Sequence, residues 1–215
     1  MANKKAKKRR RTRSKIGTSI KLALHARPYT MEGFPMKNAS IFHGWGGSPR
    51  SFWFPWLTDA LAKKGYDVWC PELPDTNNPC LEAQLEFVLK NGSFNDKTVL
   101  VGHSAGCPLI LAALERLTAP VAQVILVAGF CSPLPKAANQ MLQHQYDSKK
   151  IRANARDIIY INSNDDPWGC DDMQGRLMLE QFGGTLVLPS GQGHFGSETY
   201  GQPYTTFPLL LKLID

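Results

Sequence analysis

No stretch of this chain approaches the roughly 20 consecutive apolar residues that a membrane-spanning helix needs, so helical membrane proteins are excluded and no membrane partner is expected. Cysteine is scarce and unpaired in pattern: the five, at 70, 80, 107, 131 and 170, form no C-x-x-C motif. An odd count without such spacing argues against a disulfide framework and for a reducing, cytoplasmic setting. Metal-ligand spacings of His, Cys and Asp are also missing, so no metal is expected. No G-x-x-x-x-G-K-[ST] phosphate loop occurs. The nearest approach to a dinucleotide fingerprint, Gly44-Trp45-Gly46, has Pro49 where the third glycine belongs. A nucleotide cofactor is thereby disfavoured, and no other cofactor is indicated. No internal repeat is visible.

Acid is nearly absent from one end. Residues 1–35 hold eleven Lys and Arg against Glu32 alone, a net +10, whereas residues 36–215 carry −3. The overall +7 therefore belongs to a leader, and like-charge blocks of this kind stay solvated and disordered. A weak, salt-sensitive contact with polyanions is the partner reading for 1–35, with a nuclear or organellar address as the alternatives to a plain leader. Residues 36–215 are expected to form one domain.

What is present from Ala39 onward is an alternation of short β-branched runs with longer amphipathic ones. Residues 39–43, 66–70, 98–102, 123–129, 157–162 and 185–189 read as strands, with helices at 50–64, 81–91, 105–117, 171–182 and 204–213. Apolar character on both sides of each strand suits a buried parallel sheet. The fold class is α/β, with about six mostly parallel strands and helices on both faces. The irregular stretch 131–156 follows a strand, near the ligand-binding edge of such a sheet, and reads as a small lid.

Gly102-His103-Ser104-Ala105-Gly106 matches the G-x-S-x-G nucleophile elbow. The context supplies the required strand before it and apolar helix after it. A serine nucleophile needs a base, and the base needs an orienting carboxylate, in the chain order Ser, acid, His. Of the two histidines beyond Ser104, His144 has no strand before it, whereas His194 lies in a glycine-rich loop after TLVLP. His194 is the expected base. Asp165 and Asp166 both follow the strand at 157–162, and spacing does not separate them. The oxyanion hole would use the N–H groups of Ala105 and Trp45, the second from the loop His43-Gly44-Trp45-Gly46-Gly47. His43 is expected to hold that loop and flank the pocket, with Trp168 and Phe195 as further pocket walls.

Taken together, HGWGGSPRSFWFPWL, YDVWCPELPD, LVGHSAG, INSNDDPW, GQGHFG and TTFPLLLKL resemble, in order through residues 39–213, the small serine hydrolases related to retinoblastoma-binding protein nine. The resemblance implies a compact, nearly capless α/β-hydrolase. It also implies a triad of Ser104, His194 and the aspartate directly before proline, Asp166. The basic leader departs from that family's pattern. The resemblance supplies no natural substrate; the serine nucleophile itself leads to the expectation of a small-molecule ester, amide or thioester. The competing reading is a catalytically weak protein of the same fold that binds nucleic acid through its basic tail. The aromatic run Phe52, Trp53, Phe54, Trp56 would suit base stacking, but the acidic balance of residues 36–215 opposes phosphate.

Overall fold

A computed structural model describes residues 36–135 and 139–214, so the expectations for residues 1–35 lie outside the described residues. The strands are β1 (Asn38–Phe42), β2 (Asp67–Trp69), β3 (Thr98–His103), β4 (Val121–Val127), β5 (Ala155–Ile161) and β6 (Thr185–Val187). They form one sheet in the order β2-β1-β3-β4-β5-β6, and every pairing is parallel. The expected α/β class and six-stranded parallel sheet are both present.

The side-chain period of two sorts the strands' residues onto two faces. Leu100, Val124, Leu126, Ile158 and Tyr160 pack with α2 (Leu81–Asn91), α3 (Gly106–Leu114), α4 (Ser148–Ala153) and α5 (Asp172–Phe182). Val99, Val101, Ile125, Val127, Ile159 and Ile161 face the other way, toward α1 (Phe54–Lys63) and α6 (Pro208–Leu213). Every residue of α3 is buried. A helix apolar all round is what the centre of a layered domain accommodates.

Element ends differ from the sequence reading for local reasons. α1 starts at Phe54 rather than 50, because Ser48 and Ser51 close a turn (Ser48 N–H to Ser51 Oγ, 3.0 Å) and Phe52 takes φ +48°. α6 starts only at Pro208, whose fixed φ suits a first helical position. β4 ends at Val127, where Ala128 turns to φ +47°. α5 begins where the Asp171 carboxylate accepts from the Met173 and Gln174 N–H groups.

Of the stretch 131–156, Leu134 lines the cavity described below, while residues 139–156 form a crossover. It contains α4, capped by Asp147, and it buries Met141, Tyr146 and Ile151 in the core. The helix escaped the sequence reading because SKKIRA shows a single buried apolar residue, too few for a period.

All four loops that matter leave the carboxyl edge of the sheet. His43 follows β1, Ser104 follows β3, Asp166 follows β5 and His194 follows β6. The chain winds outward in opposite directions from the β1–β3 pair, and at such a switch point the loops part to leave a crevice.

Candidate active site

Ser104 sits at φ +53°, a conformation that costs a residue with a Cβ about 1–3 kcal/mol and persists only when its surroundings impose it. The surroundings are β1, β3 and α3, which approach too closely for side chains at the flanking glycines. A methyl group at Gly102 would lie 2.9 Å from the Gly106 carbonyl oxygen, and one at Gly106 would collide with the Phe42 carbonyl. The Ser104 N–H is held by the Val127 carbonyl at 2.9 Å. A turn so tight lifts the hydroxyl off the sheet edge into a cavity of about 460 Å³.

The β1 loop comes up against that hydroxyl. A methyl group on Gly44 would lie 2.8 Å from Ser104 Cβ, so glycine lets the loop backbone pass beside the serine. Gly46 N–H donates to Thr76 O and the Trp45 indole donates to Asn77 O (2.8 and 3.1 Å), which ties this loop to residues 76–77. Among the described residues no hydrogen bond takes up the Trp45 or Ala105 backbone N–H. His43 does not line the cavity. Its Nε2 accepts from the Leu73 N–H at 3.2 Å and its Nδ1–H donates to the Gly44 carbonyl at 2.9 Å, so it is a buried brace behind the loop. Burial lowers its pKa, which preserves the neutral form that this bonding needs.

His194 and Asp166 meet directly: Nδ1 lies 2.7 Å from Asp166 Oδ2, both side chains being buried. The other carboxylate oxygen of Asp166 accepts the Trp168 N–H at 2.9 Å. With its Nδ1 occupied, His194 has Nε2 for the cavity that it shares with Ser104.

Asp165 is engaged elsewhere. Its Oδ1 accepts from the Ser163 hydroxyl and the Gly193 N–H at 2.6 and 2.8 Å, and these two bonds hold its carboxyl below the usual range. Ser163 Oγ in turn accepts the Gln192 N–H, and Asn164 Oδ1 the Gly191 N–H. The β5 loop thus grips the histidine loop along 191–193, while Asp166 alone reaches the ring.

Two contacts on His194 had no legible signal in the sequence. Its N–H donates to Gln202 Oε1 at 2.9 Å, and its carbonyl accepts the Nε2–H of His103 at 2.8 Å. Gln202 is brought there by a small antiparallel bridge with Ser197, a pairing no motif announces. His103 stands inside the elbow motif, yet the pattern says only that any residue will serve there. Buried among Phe52, Trp53 and Phe54 and beside His194, its pKa falls to about 3. It therefore stays neutral and keeps that N–H as donor throughout the ordinary pH range.

Of the expected pocket walls, Trp168 lines the cavity, joined by Trp45, Phe52, Phe54 and Leu134. Phe195 does not. It is fully buried beneath, stacked on Phe207 at 5.2 Å, with its carbonyl accepting the Trp53 indole N–H at 2.9 Å. At φ +54° the backbone turns this side chain into the core and leaves Gly196 and Ser197 at the cavity.

Ligand atoms of Asp166, Cys170 and His194 lie within 4.8 Å of one another, a proximity their spacing did not reveal. The set suits a metal poorly: Nδ1 of His194 is engaged by the carboxylate, and burial pushes the Cys170 thiol pKa far up, against the thiolate a metal needs. Among the described residues no helix is long and apolar enough to cross a membrane.

Comparison with known proteins gives the chain's family and fold. The family described as serine hydrolase matches residues 39–213. YdeN of Bacillus subtilis (strain 168) is 35% identical over 186 residues, covering 83% of this chain and 94% of that protein. Serine hydrolase RBBP9 of Rattus norvegicus is 27% identical over 157 residues, covering 71% and 83%. The crystal structure of the B. subtilis ydeN gene product superposes with a TM-score of 0.75 at 31% identity, covering 83% of this chain and 96% of that one. Est1E from Butyrivibrio proteoclasticus shares the fold at 13% identity, with a TM-score of 0.61 and coverage of 84% and 86%.

Proposed function

Because this chain belongs to the serine hydrolase family, we propose that it cleaves small carboxylic esters, and amides or thioesters of similar size, through Ser104, His194 and Asp166. The observation that carries the reading is the strained Ser104 facing the same cavity as a histidine whose other nitrogen is fixed by a buried carboxylate. In the reaction Ser104 Oγ attacks the substrate carbonyl while Nε2 of His194 takes its proton. Asp166 keeps the ring's Nδ1–H pointed at itself and stabilises the imidazolium that forms. The Ala105 and Trp45 N–H groups, which have no acceptor among the described residues, receive the developing oxyanion. Collapse of the tetrahedral species expels the alcohol, which takes the proton from His194. Water then repeats the sequence on the acyl-serine, with His194 as base, and frees the acid.

The cavity is small and walled by Trp45, Trp168 and Leu134, so short acyl chains should be preferred. A panel of p-nitrophenyl esters is expected to peak at two to four acyl carbons and to fall about tenfold or more by ten carbons. A peak at long chains would contradict the size argument, and no turnover of any ester would remove the ester reading altogether.

Residues 1–35 are proposed to be a separate basic leader and residues 36–215 the working domain. In support, β1 starts at Asn38 and the family match at residue 39. A chain starting at Met36 should keep its thermal midpoint within about 2 °C, because a leader that buries little surface contributes little to folding. Its ester turnover should equal that of the full chain. Contact of the leader with polyanions should weaken steeply as salt rises. Calorimetry and ester assays on both lengths make the check; a large fall in either would mean the leader packs on the domain.

A further inference from the structure

Among the described residues, the cavity's lining contains one charged side chain, on its rim, and none of opposite sign. Besides His103 and His194, the residues around it are aromatic, aliphatic, glycine, small hydroxyl or thiol, and the exception is Glu198. Glu198 is exposed, on the loop that runs on from His194. That loop is not free to swing: the Ser197–Gln202 bridge closes it with bonds of 3.0 and 2.8 Å, and Tyr200 packs edge-on to Trp168 at 5.3 Å. Arg50 is near in sequence to the lining residue Ser51, but it is exposed and does not line the cavity.

We infer that Glu198 sets the charge class of the substrate. It selects esters bearing a positively charged group, and it rejects those bearing a carboxylate or phosphate. The inference rests on the hydrolase reading above and adds the substrate class to it. Two physical terms favour the cation. A carboxylate at the mouth of an apolar cavity acts through a medium of lower dielectric than water. Trp45, Phe52 and Trp168 line the cavity, and an aromatic ring attracts an ammonium group over its face and disfavours an anion there.

The test uses three p-nitrophenyl esters of matched length: a neutral valerate, a 4-(trimethylammonio)butyrate and a hemiglutarate. The full chain at low salt is expected to show a cation-to-anion ratio in kcat/KM of at least about tenfold, shrinking as salt screens the carboxylate. Glu198→Gln should bring the ratio close to the residue left by the aromatic faces, and Glu198→Lys should invert it. Turnover of the neutral ester reports the hydrolase reading by itself. If that ester is cleaved but the ratio is near one, or if Glu198→Gln leaves the ratio intact, the charge assignment is wrong while the hydrolase stands. Failure of all three esters would overturn both. Binding of phenyltrimethylammonium against benzenesulfonate, followed by tryptophan fluorescence, repeats the comparison without turnover. Tighter binding of the cation supports the inference, and equal or reversed affinities overturn it.

Discussion

Ser104→Ala is expected to abolish labelling by a fluorophosphonate probe and to lower ester turnover by on the order of 10⁶, the loss typical when a triad nucleophile is removed. The substitution removes one oxygen and little else. Alanine has the same Cβ, so it inherits the φ of +53° and its strain without adding bulk. The N–H bond to Val127 O is a backbone bond and survives. Thermal stability should therefore stay within a few degrees of the parent, which separates lost chemistry from lost fold. Labelling is read on a gel and turnover from nitrophenolate release. Equal labelling of parent and variant would place the nucleophile elsewhere.

Asp166→Asn is expected to cost about 10⁴ in turnover, and Asp165→Asn less than tenfold. At 166 the amide offers the His194 ring an N–H2 group in place of a carboxylate oxygen, so the ring turns its lone pair toward it and presents the wrong tautomer to the serine. The bond at stake is the 2.7 Å contact to Nδ1. At 165 the bonded atom is Oδ1, which accepts from Ser163 and Gly193, and asparagine retains an oxygen able to accept both. Asp165→Ala removes that oxygen, frees the Gly193 N–H and the Ser163 hydroxyl, and should therefore cost more than Asp165→Asn. Turnover of the three variants on one ester decides the matter. Reversed effects at 165 and 166 would transfer the orienting role to Asp165.

The proposed acyl-length preference and the inferred charge preference would have separate origins in the cavity. Its walls limit how much chain is buried, whereas Glu198 acts through the field it sets at the rim. The two can therefore be varied independently, the first by the substrate's carbon count and the second by its charge and the ionic strength.

The amino-acid sequence by itself determined the layers of this protein and singled out the candidate reacting groups. Runs such as TVLVG and QVILVAG, apolar on both sides, have no stable place except inside a parallel sheet covered on both faces. The glycines around Ser104 are a local requirement, since the elbow closes through neighbours only a few residues away. His194 was legible because it follows a strand, and strand ends share one edge. Tertiary structure decided what depends on distant backbone. It separated two adjacent aspartates, because a rotation of the chain at 165–166 sends one carboxylate to the histidine loop's backbone and the other to the ring. It moved Phe195 from the pocket into the core through a single left-handed residue, and turned His43 into a brace by giving it Leu73 as a donor. It also placed Gln202 and His103 on either side of the His194 backbone. Periodicity records which face of an element is buried. It carries no information about which side chain a loop folded from another part of the chain will bring within 3 Å.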